Sequence, residues 1–203
     1  YPELMSAMAS PDQNLAYVGS FTQALIKARN LGTPLAQAIT GKELYSGVLV
    51  YPTGGNPVDI LKTTPDKISY ALGASSGESC AKAATGGKAA MAVANHGAAV
   101  NAVKEGRAKA AVVKNWWWEA NKDKFAGMSV YKIPGVSEEK NPDNVLTASK
   151  NVPADVAAKI KAAALDSKAA FGAKSMAPFD AKQLEFTLGL MKKGNIDPAT
   201  YSW

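Results

Sequence analysis

Small polar residues gathered where a strand hands over to a helix are the groups in this chain best suited to hold a ligand. The sharpest instance is Gly73-Ala74-Ser75-Ser76-Gly77-Glu78-Ser79. Ser75, Ser76 and Ser79 offer hydroxyl donors, and the glycines allow the free N–H groups of a helix start to approach closely. Together these suit an oxyanion without requiring a cationic side chain. No Gly-Lys-Ser/Thr closes the segment and it lacks GxGxxG spacing, so it is neither a Walker loop nor a dinucleotide fingerprint. A serine-rich turn also serves as an ordinary helix cap. The second group is Asn95-His96, again between a strand and a helix. A lone histidine is commonly structural, but this one stands at one strand end while the serine turn stands at another. In open α/β sheets ligands sit outside the carboxyl ends of strands. Ser20 and Thr22 repeat the pattern earlier, with Ser20 readable as an N-cap. Tyr45 opens a strand that would cross between lobes, or simply packs in the core. Asn115 closes the strand that precedes Trp116-Trp117-Trp118. Three adjacent tryptophans cannot all face one core, so at least one is expected to be exposed, near a cleft or at an interface.

Nucleophilic chemistry has little to work with. Cys80 is the only cysteine and His96 the only histidine, sixteen positions apart. That pair is the one candidate for an enzyme, and a small buried hydrophobe is the plainer reading of Cys80. A single cysteine excludes an internal disulfide and a multi-cysteine metal site. No metal and no cofactor are expected.

Taken whole, 203 residues at 47% apolar and 20% charged fit one large domain or two small lobes. The net charge of +6 is spread over lysines, with two arginines, Arg29 and Arg107. A nucleic-acid reader would more often cluster arginines with aromatics on one face, so no nucleic-acid partner is expected; a mild positive field would instead draw in a small anion. Apolar runs are broken within about ten residues, too short to cross a bilayer, so the chain is not expected to be membrane-embedded. It opens at Tyr1-Pro2 without a basic and then apolar leader, so an export signal is expected to have been removed or never present.

The elements that must position these residues alternate. A helix is read at 2–9, a strand at 14–18, a helix at 21–30, and extended runs at 33–39 and 44–51. A short helix at 58–61 and a strand at 68–72 lead into the serine turn and an alanine-rich helix through 84. A strand at 88–94, a helix at 97–105, strands at 108–113, 128–133 and 144–148, and helices at 154–166 and 181–192 complete the chain. Such alternation predicts α/β architecture with central, mostly parallel sheets and helices on both faces.

At four stretches the chain resembles the phosphate/phosphite/phosphonate-binding (PhnD-like) solute-binding proteins of ABC transporters. They are Ala16-Tyr17-Val18-Gly19-Ser20-Phe21-Thr22, Leu44-Tyr45-Ser46-Gly47-Val48-Leu49-Val50, Ala74-Ser75-Ser76-Gly77, and the twelve residues from Asn95-His96-Gly97 to Lys104-Glu105-Gly106. The strand, Val-Pro and helix of 144–161 resemble the corresponding later segment of that family, and Gly194-Asn195-Ile196-Asp197-Pro198 looks like the ending of a related group. The resemblance implies the type II periplasmic-binding fold: a discontinuous first lobe at 1–50 and 132–203, a second at 51–131, and an anion clamped in the cleft between them. It carries the family's anion-binding hydroxyls onto Ser75 and Ser76, its histidine onto His96 and its inter-lobe tyrosine onto Tyr45. Ser20, Thr22, Gly77, Asn95 and Asn115 complete the expected ligand-binding set.

Three departures stand out. Ala74 replaces a serine. Lys109 and Lys114-Asn115 stand where the family has acidic or polar residues that would suit an aminoalkyl tail. The chain also begins in what would be the family's first helix, so the first lobe is expected to lack its N-terminal strand. The expected function is capture of phosphonate, phosphite or phosphate by a monomer in the periplasm or another extracytoplasmic space, with a lipoprotein form possible. Delivery would be to an ABC-transporter permease or a receptor, without catalysis; the alternatives are a sensory ligand-binding domain or a cofactor-precursor enzyme on the same fold.

Overall fold

A computed structural model describes residues 1–203 as two compact units. The first comprises Tyr1–Leu44, Asn141–Leu188 and Pro198–Trp203; the second comprises Tyr45–Lys140 and Gly189–Asp197. The chain therefore passes to the second unit at 44/45, before Gly47–Pro52, where the expected boundary at 50/51 falls within that strand. The reason is pairing: Gly47–Pro52 lies in the middle of the second unit's sheet, bonded to Ala110–Lys114 on one side and Met128–Tyr131 on the other.

The first unit is built on a four-stranded sheet in the order Leu15–Val18, Val145–Ser149, Gly32–Ile39, Ser175–Pro178. All three pairings are antiparallel, so the parallel pairing expected from alternation belongs to the other unit. Helix Ser20–Ala28 is buried along nearly its whole length and contributes Phe21, Leu25 and Ile26 to the core. Its Gln23, 1% exposed, donates its side-chain amide to the Val145 carbonyl at 3.0 Å and accepts from the Thr147 hydroxyl at 2.8 Å. A buried amide is tolerable because both ends are paired. The ends of the chain join the same core: Tyr1 stacks on Trp203, and Phe21 meets Tyr201 edge-on at 5.1 Å.

The second unit carries a five-stranded sheet in the order Met91–Val93, Ile68–Ala71, Ala110–Lys114, Gly47–Pro52, Met128–Tyr131. Ile68–Ala71 runs parallel to both neighbours, whereas Gly47–Pro52 is antiparallel to both of its own. Ile68–Ala71 is buried throughout, as is Ala110–Lys114 up to its last residue. This accounts for the unbroken apolar run Ala110–Val113, as strands covered on both faces require, and Ile68–Ala71 departs from it only at Ser69, whose buried hydroxyl is hydrogen-bonded. Helix His96–Lys104 packs Ala99, Val100, Ala102 and Val103 onto Val48, Val50, Ala111 and Val113. That spacing of i, i+1, i+3 and i+4 is one helical stripe. Helix Pro57–Thr63 starts as its sequence dictates, with Pro57 in the first turn and Asn56 accepting the Val58 and Asp59 N–H groups.

Some elements are not apparent from the sequence pattern. Asn115–Asn121 is a helix carrying all three consecutive tryptophans, and Ser175–Pro178 is an edge strand. Leu44–Tyr51 is not one run either, because the chain breaks at Ser46 between Leu44–Tyr45 and Gly47–Pro52.

Candidate functional site

Because Met91–Val93, Ile68–Ala71 and Ala110–Lys114 run in parallel, their carboxyl ends share one edge of the second unit's sheet. Gly47–Pro52 runs the other way, with Gly47 opposite Lys114, so Tyr45 arrives at the same edge. Topology alone thus gathers Tyr45, Ser75, Ser76, Gly77, Asn95, His96 and Asn115 at the position where open α/β sheets bind ligands. Ser20 and Thr22 lie in the first unit, buried near the start of helix Ser20–Ala28. The N-cap there is Gly19, without a side-chain cap bond, which corrects the assignment of Ser20 as cap.

The serine turn is itself helical. Ser75–Ser79 forms a π-helical turn that runs directly into helix Cys80–Thr85, and its cap position is Ala74 with no side-chain bond. The serines are therefore not employed as caps. Insertions of this kind are rare and recur at functional sites. Gly73 reverses the chain with φ +67°, and its N–H donates to the Glu78 carboxylate at 2.8 Å. Glu78, 1% exposed, also pairs with Lys82 at 3.4 Å, so the buried charge is compensated. Two glycines create the close packing. A Cβ on Gly77 would sit 2.7 Å from the Ala71 carbonyl oxygen, and one on Gly47 would sit 2.4 Å from that of Ser76. The Gly77 N–H itself donates to the Ala74 carbonyl at 3.1 Å. The absence of a Cβ at Gly77 thus also has a steric reason.

His96 opens helix His96–Lys104, with Asn95 as N-cap accepting the Ala98 N–H at 2.9 Å. Asn95 is exposed and occupied by that cap. The helix is fixed from beneath by the Ser69 hydroxyl, which donates to the Ala99 carbonyl at 2.8 Å. So held, the His96 Nε2 lies 3.4 Å from the Ser76 Oγ. Burial, reinforced by the charge of Lys114, pushes the imidazole down to about 4. It is neutral near pH 7, with a single ring N–H, and its Nδ1 is buried with no partner in the protein.

Asn115 extends the ladder between its neighbours: it accepts the Ser46 N–H at 3.1 Å, returns its own N–H to the Ser46 carbonyl at 3.0 Å, and donates its side-chain amide to Glu139 at 3.3 Å. These bonds make it a clamp that fixes Tyr45 and Lys114 side by side. The Lys114 ammonium rests 4.1 Å from the Tyr45 ring centroid and 4.5 Å from that of Trp116, within cation–π range. Trp118 is buried and Trp116 and Trp117 are partly buried, so none stands as fully open to solvent as expected. Successive helix positions turn by about 100°, so Trp118 enters the core, Trp117 lies between His96 and Phe125, and Trp116 meets Tyr45. Lys114 and Trp116 also stand at this strand edge, outside the expected ligand-binding set. The available signal was their place at a third parallel strand end.

Cys80 is wholly buried and its thiol is pushed up to about 12. With the imidazole Nε2 beside Ser76 instead, the pairing an enzyme would need has no geometric support.

No protein-family model matches the chain, and no curated protein does. Solved structures do. A Xanthomonas citri protein bound to ATP superposes with a TM-score of 0.75 at 11% identity, covering 96% of this chain and 82% of that one. PhnD1 from Prochlorococcus marinus in complex with methylphosphonate gives 0.66 at 16% identity, covering 96% and 83%. A binding-protein component of an ABC phosphonate transporter from Pseudomonas aeruginosa gives 0.63 at 15%, covering 95% and 74%. The chain has the type II periplasmic-binding-protein fold.

Proposed function

We propose that the chain is an extracytoplasmic solute-binding protein that captures a small oxyanion of the phosphonate, phosphite or phosphate kind at the shared strand edge of its second unit. The observation that carries this reading is the convergence of Ser75, Ser76 and the neutral His96 there, with Ser76 Oγ and His96 Nε2 at 3.4 Å. Hydroxyls and a neutral imidazole supply hydrogen bonds to an anion, and two helix starts add their dipoles. Lys114 provides the positive charge that the serine turn lacks. Tyr45 belongs to the same wall, and Ser20 and Thr22 remain candidates from the first unit. The ligand would pass to an ABC-transporter permease or a receptor, with the protein acting as a monomer. The fold shared with methylphosphonate-bound PhnD1 supports the ligand class.

Isothermal titration and thermal-shift measurements against phosphate, phosphite, methylphosphonate and sulfate test the reading. A true ligand at a hundred times its Kd stabilises the native state by about 2.7 kcal/mol. If none of these anions stabilises the protein, the oxyanion reading is wrong.

A further inference from the structure

The Trp116 indole Nε1 is buried and has no hydrogen-bond partner in the protein. An indole nitrogen can only donate, and buried donors left without an acceptor are rare enough to demand an explanation. Its neighbours supply one. The Trp116 ring meets Tyr45 edge-on with centroids 5.8 Å apart, and the Lys114 ammonium touches both rings. Trp117, next to Trp116 in the same helix, meets the His96 ring with centroids 5.8 Å apart, and the His96 Nε2 contacts Ser76. Trp116, Lys114, Tyr45, His96 and Ser76 therefore form one connected wall at the strand edge, and two of its ring nitrogens, Trp116 Nε1 and His96 Nδ1, are buried without partners.

We propose that Trp116 is a ligand-contacting residue whose indole N–H donates to an oxygen of the bound oxyanion, and that Lys114 beside it restricts the site to anions without a cationic tail. This rests on the oxyanion reading above and extends it to ligand class. A ligand carrying an ammonium tail would bring that charge toward Lys114 in a partly desolvated setting, where like charges repel far more than in water. A simple alkyl tail meets no such penalty.

The test uses the whole chain and two probes, methylphosphonate and 2-aminoethylphosphonate, measured by isothermal titration. The wild-type protein is expected to bind methylphosphonate about tenfold or more tightly than 2-aminoethylphosphonate. Lys114→Gln should shrink that gap to about threefold or less. Trp116→Phe, which keeps an aromatic ring but removes the donor, should weaken methylphosphonate about tenfold, a charge-assisted bond being lost. The ligand-free Trp116→Phe protein should melt no lower than wild type, since an unpaired buried donor has gone. Should that variant fail to fold, the assigned indole N–H resonance of Trp116 in the wild-type protein decides: it should move downfield as methylphosphonate is added. An unmoved resonance, or Trp116→Phe affinity within about twofold of wild type, overturns the proposal while leaving the oxyanion reading standing. A wild-type protein that binds neither probe nor inorganic phosphate overturns both.

Discussion

The contact between Ser76 and His96 is long for a hydrogen bond, at 3.4 Å, and leaves much of the capacity of both groups available. Ser76→Ala should therefore cost the ligand-free protein under ~1 kcal/mol in urea unfolding, while weakening oxyanion binding about tenfold or more, because a hydroxyl to a charged acceptor is worth ~1.5–3 kcal/mol. Equal losses in stability and in binding would show the hydroxyl to be structural. His96 makes a second prediction. Its imidazole titrates near 4 in the folded protein against 6.5 in an ordinary environment. As pH falls the unfolded chain takes up this proton first. The stability owed to the neutral ring is whole above pH 6.5 and is lost progressively on the way to pH 4. Over that interval the wild-type protein should lose up to ~3 kcal/mol more than His96→Asn does. Parallel losses in the two proteins would show that the ring is not held neutral.

At the scale of elements, the site depends on a helical turn pressed against a strand. Gly47 begins the strand opposite Lys114, and any Cβ there would strike the Ser76 carbonyl and Cys80. Gly47→Ala should displace the serine turn, cost ~2–4 kcal/mol, as overpacking at an unyielding contact does, and abolish oxyanion binding. Calorimetry showing unaltered binding would mean the turn does not need this seat. Much of this was legible beforehand. The turn at 73–79, the strand before it and the helix after Asn95 follow from glycine and serine punctuation and from β-branched runs. Helix 154–166 follows from its alanine-rich periodicity. What the sequence could not reveal has physical reasons. A π-helical turn has no periodicity distinct from a cap. Trp116-Trp117-Trp118 reads as a patch until a helix rotates each ring in a different direction. The antiparallel first sheet arises from partners more than a hundred residues apart, Leu15 with Ala148 for example, which no local pattern encodes. The backbone roles of Asn115 and Gly77 were not legible because a polar or glycine residue at a strand end serves backbone geometry and recognition equally well.

In the whole molecule, the chain passes between its two units four times, at 44/45, 140/141, 188/189 and 197/198, so neither unit is a single continuous segment. The last passage returns only six residues, Pro198–Trp203, to the first unit. They are nonetheless well anchored: Arg29 donates to the Pro198 carbonyl at 3.1 Å, and Tyr201 and Trp203 pack around Phe21. Aromatic pairs of this kind contribute ~0.5–1.5 kcal/mol each beyond their buried area. Deleting 198–203 should therefore lower Tm by about 5–10 °C, and an unchanged melting curve would mean that the tail merely rests on the surface. The helix Asn115–Asn121 carries a consequence of a different sort. It holds three of the four tryptophans in the chain, and one of them touches the cation beside the serine edge. The fourth, Trp203, belongs to the other unit. If an anion settles at this edge, its occupancy should register as a change in intrinsic tryptophan fluorescence without any added dye, and a spectrum unchanged at saturating ligand would place the anion elsewhere.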